Sequence, residues 1–135
     1  MTPNVDEIRG AILETPLGRL LGMEVESIER DRVRLRLPFR AEVTTGGGIV
    51  HGGALSAIAD AAATGAAWSG ADLSANPRGT TIALTINFLA AARREDVVAD
   101  ARVIRRGRTI TVCEVAVEGA RGKRVASALV TYKLG

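Results

Sequence analysis

The sequence predicts an α+β fold in which an antiparallel β-sheet packs against one long buried helix. From residue 81 onward, apolar and polar residues alternate along several segments, which is the period of a strand with one buried face. Residues 53–69 instead carry apolar residues at helical spacing and are rich in alanine, a composition typical of a buried helix. Aromatic residues make up only 3% of the chain, so the helix and the sheet must pack closely through small side chains.

The first third of the chain predicts a helix followed by two strands. The helix is expected over residues 4–14, where apolar residues recur at helical spacing behind Asn4 as a cap. Pro16 and Gly18 are expected to end this helix. Strands are expected over residues 21–29 and 32–37, and in the second of these arginines alternate with valine and leucine without a break.

A glycine-rich loop over residues 44–53 leads into the long helix, and a second loop over residues 70–79 follows it. Four further strands are expected, at residues 81–88, 97–106, 109–118 and 124–134. Because short turns such as Gly107-Arg108 join them, we expect these four strands to form an antiparallel meander. The length predicts a single domain over residues 1–135.

Composition and charge exclude several function classes. Residues 93–135 hold ten Lys or Arg against five Asp or Glu, a balance that suits phosphate groups but is also typical of a solvated surface. The few aromatic residues argue against base stacking, so we expect no nucleic-acid partner. The single cysteine, Cys113, and the single histidine exclude an intrachain disulfide and a Cys-rich or His-rich metal site. No signal peptide or bilayer-spanning apolar stretch is visible, so we expect a cytoplasmic protein without membrane contact.

Two features of the long helix could carry chemistry, and the first is its start at His51-Gly52-Gly53. Unpaired backbone N–H groups at a helix start carry partial positive charge and can bind an anion or a polarised carbonyl oxygen. The glycines let a ligand approach the backbone. A glycine-rich helix start is also a common capping device, so this feature alone leaves both interpretations open.

The second feature is Asp60, a carboxylate among alanines in the middle of the helix. Such a group is costly to bury unless it has a role. Thr64 lies four residues further on and therefore shares its face of the helix. The two side chains could hold a water molecule, with Asp60 taking its proton and Thr64 orienting it. The alternative is that Asp60 faces solvent or caps a kink.

These residues together resemble a known family. The run over residues 48–55, with Asp60 nine residues after the histidine, is similar to the hotdog-fold acyl-CoA thioesterases of the phenylacetate-pathway (PaaI-like) group. The segment over residues 103–109 resembles a hairpin of the same family, and the similarity extends over roughly residues 15–134. The resemblance implies a hotdog fold, in which an antiparallel sheet wraps around one long central helix.

The resemblance also implies a catalytic role for five residues. The backbone N–H of Gly52 would polarise the thioester carbonyl, and His51 would position that loop by hydrogen bonding. Asp60 would act as nucleophile or general base across a dimer interface. Thr64 would assist the water, and Thr81 falls where relatives often carry a Ser or Thr near the attacking water.

Assembly and substrate contacts follow from the same resemblance. Such chains form dimers whose sheets join edge to edge, and a tetramer made of two dimers is common. Thr45 stands where many relatives carry Asn or Gln, and we expect it to contact the substrate together with Gly53. Arg105, Arg106 and Arg108 cluster at one hairpin, where guanidinium groups could bind the phosphates of coenzyme A.

The sequence therefore predicts an enzyme that hydrolyses an acyl-CoA to a free acid and CoA, without a metal or redox cofactor. Two alternatives remain: a module that binds or senses acyl-CoA without turnover, and an enoyl-CoA hydratase. The hydratase is disfavoured because the only histidine, His51, precedes the long helix. The alanines along that helix predict room for a bulky or aromatic acyl group.

Overall fold

The computed structural model describes residues 5–135, apart from the side chain of Leu13. The expected cap at Asn4 lies outside these residues. Within them the helices and strands are α1 (Val5–Leu13), α2 (Pro16–Leu21), β1 (Glu24–Glu29), β2 (Arg32–Leu37), β3 (Thr44–Gly46), β4 (Ile49–Val50), α3 (Gly52–Ser69), β5 (Gly79–Phe88), β6 (Val97–Arg106), β7 (Ile110–Gly119) and β8 (Arg124–Leu134). None of these helices is both long and apolar enough to cross a lipid bilayer.

Six of the strands form one antiparallel sheet in the order β1-β2-β6-β7-β8-β5, and α3 lies across one face of it. The remaining two strands, β3 and β4, pair as a small separate ribbon that leads into α3. An antiparallel sheet around one long central helix is the hotdog arrangement. The predicted fold class is therefore confirmed.

The prediction that the last four strands form a meander is wrong for β5. Strands β6, β7 and β8 are consecutive neighbours, but β5 pairs with β8 at the edge of the sheet, and β6 pairs with β2. The reason is the connection over residues 89–96, which is no tight turn. Its backbone bonds to the segment before α3, where Val50 N–H donates to the Ala92 carbonyl at 2.9 Å, and the chain then enters β6 beside β2.

The central strands follow the alternation in the sequence. In β2, Val33 and Leu35 are fully buried against α3, while Arg32 and Arg34 point to the outer face. There both guanidinium groups bind Asp100 of β6, with N–O distances of 2.8 Å and 3.0 Å. Burial opposes ionisation of this carboxyl, but the hydrogen bonds and charges of the two arginines outweigh it and lower the pKa of Asp100.

Small side chains let α3 sit directly on the sheet. Ala59, Ala62 and Ala66 have no exposed surface at all. On another face of the helix, a methyl group added at Gly65 would collide with Ile12, so this glycine sets how closely α1 can pack against α3. Close packing through alanine and glycine is what the low aromatic content predicted.

Helix α2 was not predicted, because Pro16 suggested the end of a helix. In the structure Pro16 begins a new one, as proline often does in a first helical turn. The Thr15 hydroxyl caps it by accepting a hydrogen bond from Gly18 N–H at 3.1 Å. Gly22 ends it in the left-handed conformation at φ 73°, which favours glycine.

The C-terminal end of α3 is closed by Arg106, which comes from the end of β6. Its guanidinium donates to the carbonyls of Ala67 at 3.0 Å and Ala66 at 3.2 Å, and it also binds Asp31 at 2.7 Å. Asp31 lies in the turn between β1 and β2, and its backbone N–H donates to the Ser69 hydroxyl at 2.8 Å. One arginine therefore ties the end of the helix to two separate parts of the sheet.

We expect Arg106→Ala to lower the free energy of unfolding by about 2–3 kcal/mol, because it leaves helix carbonyls and a carboxylate without their charged partner. Arg105→Ala, at an exposed neighbour, should change stability by less than about 0.5 kcal/mol. Urea denaturation followed by circular dichroism measures both. Equal stability of the two variants would contradict the role given to Arg106.

Candidate active site

His51 caps the start of α3. Its backbone is extended, with φ −65° and ψ 136°, and its Nδ1 atom accepts a hydrogen bond from Gly53 N–H at 2.7 Å. The backbone N–H of His51 donates to the Val43 carbonyl at 2.8 Å, which fixes the cap to the segment before the ribbon. The histidine thus positions the first turn of the helix through hydrogen bonds.

The two glycines after His51 have different tasks. A Cβ atom at Gly53 would lie 2.9 Å from the capping Nδ1 atom, so the cap requires glycine there, and its N–H is already used. The N–H of Gly52 has no acceptor among residues 5–135. It is the first residue of α3, at the positive end of the helix dipole, and the Phe88 ring lies beside it. Gly52 therefore offers the free donor.

The ribbon before the helix is held by the connection that follows β5. Arg94 N–H donates to the Gly48 carbonyl at 2.8 Å, and Ile49 forms a bridge with Arg93. Thr45 lies in β3 with an exposed side chain that has no hydrogen bond within the described chain. It lies close to the helix start in sequence, and its hydroxyl is free for a ligand.

Asp60 lies half-buried in the middle of α3 and is held by β5. The Thr81 hydroxyl donates to Asp60 Oδ1 at 2.6 Å, and no donor among the described residues reaches the other carboxylate oxygen. Asp60 and Thr64 both line a cavity of about 170 Å³ between α3 and the two N-terminal helices. The predicted common face of Asp60 and Thr64 is therefore present, and Thr81 joins it from the sheet.

The three hairpin arginines lie at the other end of α3. Arg106 is occupied by the contacts that close the helix. Arg106 and Arg108 line a cleft of about 270 Å³ against the loop after α3, and Arg105 is exposed on β6. An 18-residue helix is about 27 Å long, so within one chain these arginines are far from Gly52.

Residues 5–135 contain neither a metal-binding cluster nor a cysteine nucleophile. They contain no group of three His, Cys, Asp or Glu side chains that could hold a metal ion. Cys113 is fully buried in the core, and burial raises the pKa of its thiol to about 11. At neutral pH this thiol is protonated and shielded, so it is a core residue and not a nucleophile.

Comparison with known proteins identifies the family to which this chain belongs. Residues 47–126, more than half of the chain, match the model of a family described as the thioesterase superfamily. This chain belongs to the thioesterase superfamily. A provisionally named esterase of Halobacterium salinarum is 36% identical over 100 residues, covering 72% of this chain and 66% of the relative. Another, of Saccharolobus solfataricus, is 28% identical over 129 residues, covering 96% of this chain and 84% of the relative.

Solved thioesterase structures share the complete fold. A mutant thioesterase of Pseudomonas aeruginosa superposes with a TM-score of 0.88 at 25% identity, covering 99% of this chain and 95% of that one. A thioesterase family protein of Silicibacter pomeroyi gives a TM-score of 0.88 at 26% identity, covering 96% of each chain. The chain is therefore a thioester hydrolase. Of the three functions predicted from the sequence, this finding favours hydrolysis over acyl-CoA sensing and over hydration.

In this thioesterase the two predicted catalytic groups, Gly52 and Asp60, are too far apart to serve one substrate within a single chain. Gly52 and Asp60 are eight residues apart on the same helix, which places them about 12 Å apart along its axis. A thioester carbon bonded to its carbonyl oxygen cannot contact both. Either one of the two residues is not used, or a second chain supplies it.

Sequence patterns did not indicate two further parts of this site. Thr15, Leu17 and Met23 line the cavity beside Asp60, where the sequence predicted only the end of a helix and a strand from residue 21. Their approach to α3 depends on α2, whose only local signals were Thr15 before a proline and Gly22 after a short apolar run. Phe88 stands over Gly52 at the end of β5, and no local pattern links the two positions.

We expect His51→Ala to lower the free energy of unfolding by about 1 kcal/mol, because the Gly53 N–H loses its acceptor at the helix start. His51→Asn should retain most of the stability, because asparagine is a favoured capping residue. Urea denaturation midpoints at an unchanged m-value measure both. If the alanine variant is as stable as the asparagine variant, His51 does not act as a cap.

Proposed function

We propose that this thioesterase hydrolyses acyl-CoA thioesters at a site formed by Asp60 of one chain and Gly52 of a second, in the manner of the phenylacetate-pathway group that its motif resembles. The observation that carries the proposal is the placement of these two groups. Asp60 is held by Thr81 and opens onto a cavity, while the Gly52 N–H lies unpaired about 12 Å away on the same helix. Each group suits one half of thioester hydrolysis.

Gly52 stabilises the charge that develops on the thioester oxygen. When the carbonyl carbon becomes tetrahedral, its oxygen becomes an oxyanion, and a fixed N–H at the positive end of a helix stabilises it more than the neutral carbonyl. The capping hydrogen bond from Gly53 N–H to His51 Nδ1 fixes the backbone, so the Gly52 donor needs no rearrangement during the reaction.

Asp60 activates the attack on the carbonyl carbon. As a general base it takes a proton from water while the water oxygen bonds to the carbon; the C–S bond then breaks, and the CoA thiolate takes up a proton. As a nucleophile its carboxylate oxygen attacks directly and displaces CoA thiolate, and water then hydrolyses the resulting anhydride. Both routes give a free acid and CoA, and both need a carboxylate with one oxygen free of protein donors, as found here.

Two threonines orient the reacting groups. The hydrogen bond from Thr81 fixes one Asp60 oxygen and leaves the second to face the reactants. Thr64 lies one helical turn away on the wall of the same cavity, and its hydroxyl has no partner among residues 5–135. It can hold the attacking water beside the carboxylate.

The edge strand β5 gives the second chain a place to dock. Its backbone is unpaired on one side, and Leu84 and Phe88 face the helix side of the sheet with 37% and 53% of their surfaces exposed. Edge-to-edge pairing of two β5 strands would satisfy the backbone and cover these side chains. The same strand carries Thr81 beside Asp60 and Phe88 beside Gly52, so pairing brings the two halves of the site together. A tetramer would be a pair of such dimers.

The phosphates of CoA would lie near the basic hairpin. Arg108 lines the cleft beside the loop after α3, and Arg105 is exposed nearby. Arg106 contributes positive charge there, but its donors are committed to the helix end and to Asp31. We therefore propose Arg105 and Arg108 as the phosphate ligands and Arg106 mainly as a structural residue.

We expect Asp60→Asn to lower kcat by about 10²- to 10⁴-fold with little change in stability, because the amide cannot take a proton or attack the carbonyl. Thiol release from a panel of acyl-CoAs measures this, and the protonated, buried Cys113 will not react with the thiol reagent in the folded protein. Glu114→Gln, the same chemical change on the exposed outer face of the sheet, is the matched control. An Asp60→Asn enzyme as active as wild type would refute the mechanism.

Complementation between two inactive variants tests the shared site. Gly52→Pro removes the N–H at a first helical position that tolerates proline, and Gly52→Ala adds a side chain but keeps the N–H. Co-expressed Asp60→Asn and Gly52→Pro chains should recover about a quarter of wild-type activity, because half of random dimers are mixed and each has one intact site. No recovery would contradict a site shared between Asp60 of one chain and Gly52 of another.

A further inference from the structure

The cavity beside Asp60 is lined mainly by apolar side chains. Ala57 and Ala61 of α3 form one side, and Ile12, Leu17 and Met23 lie opposite. These side chains are apolar, as expected of a surface that receives a hydrocarbon group. The N-terminal helices are thus part of the wall and not merely a cover over the hotdog core.

Few polar groups of this cavity are free. The Thr15 hydroxyl accepts from Gly18 N–H at 3.1 Å and donates to the Ile12 carbonyl at 3.1 Å, so it is fully used in the local turn. This leaves Asp60 and Thr64 as the polar side chains that open into the cavity without a complete set of partners. Reactive groups lie on one side of an otherwise apolar space.

The cavity is small. It measures about 170 Å³, whereas sites for drug-sized ligands typically measure about 300–1,000 Å³. A dry apolar cavity of about 150 Å³ in another protein holds one benzene molecule. The space beside Asp60 therefore suits a six-membered ring or a short branched chain, and the rest of a long linear chain would extend beyond its wall past Leu17.

We propose that this cavity receives the acyl group and limits it to about six to eight non-hydrogen atoms. Ala57 and Ala61 set the limit from the helix side, and Leu17 sets it at the mouth, where 53% of its surface is exposed. This inference rests on the proposed acyl-CoA hydrolysis. It agrees with the expected room for an aromatic group and restricts that room to a single ring.

A substrate panel and one narrowing variant test the limit. The panel contains linear acyl-CoAs from acetyl to palmitoyl, together with benzoyl-CoA. We expect kcat/KM to be highest for hexanoyl-CoA or benzoyl-CoA and to fall at least about 10-fold by dodecanoyl-CoA, because the surplus methylenes stay in water or strain the wall. Ala61→Leu should lower kcat/KM for benzoyl-CoA about 10-fold more than it lowers kcat/KM for acetyl-CoA.

Matched controls separate cavity size from loss of folding. Ala120→Leu makes the same change on the exposed turn between β7 and β8 and should leave the preference unchanged. Leu17→Ala opens the mouth at an exposed position that the core does not need. It should raise kcat/KM for octanoyl-CoA relative to butyryl-CoA by about threefold or more, even if Ala61→Leu fails to fold.

The outcomes distinguish this inference from the function on which it rests. If no member of the panel releases CoA, acyl-CoA hydrolysis itself is refuted. If palmitoyl-CoA is hydrolysed as well as hexanoyl-CoA, or if folded Ala61→Leu and Leu17→Ala both keep the wild-type preference, then the acyl group lies elsewhere. The proposed function would survive those last results.

Discussion

The close contact between α3 and the sheet is the constraint on which the rest of this structure depends. Ala59, Ala62 and Ala66 are completely buried against the strands, and each larger side chain there would push the helix away. The short distance between α3 and the sheet sets the positions of the candidate functional groups. Asp60 can reach Thr81 at 2.6 Å only because the helix lies this close to β5.

In the proposed mechanism, the edge strand β5 contributes both to the catalytic site and to the dimer interface. Its Thr81 compensates part of the cost of placing a carboxylate among alanines, because a hydrogen bond replaces some of the lost water. Its outer edge is unpaired and presents Leu84 and Phe88, which a monomer leaves in contact with solvent. A change in this strand is therefore expected to affect the carboxylate and the proposed interface together, since both involve the same ten residues.

Local patterns predicted the fold well and the site only in part. The helix expected at residues 53–69 is Gly52–Ser69, and the alternating segments became β2 and β5–β8, because these elements are set by periodicity. The position of β5 at the sheet edge depends on a long connection whose path is fixed by contacts with another loop, which no period encodes. Arg106 shows the same limit, because its direction is decided by Asp31, 75 residues earlier in the chain.

The two ends of α3 have opposite partners, and this asymmetry favours the start of the helix as the place of the proposed oxyanion donor. A long helix carries partial negative charge at its last carbonyls and partial positive charge at its first N–H groups. Arg106 neutralises the carbonyl end by binding Ala66 and Ala67. At the start, the His51 side chain accepts from the Gly53 N–H and the His51 carbonyl accepts from those of Ala54 and Leu55. No acceptor among residues 5–135 reaches the Gly52 N–H. The positive end of the dipole therefore remains available for an oxyanion, in a fold that closes the other end with its own side chain.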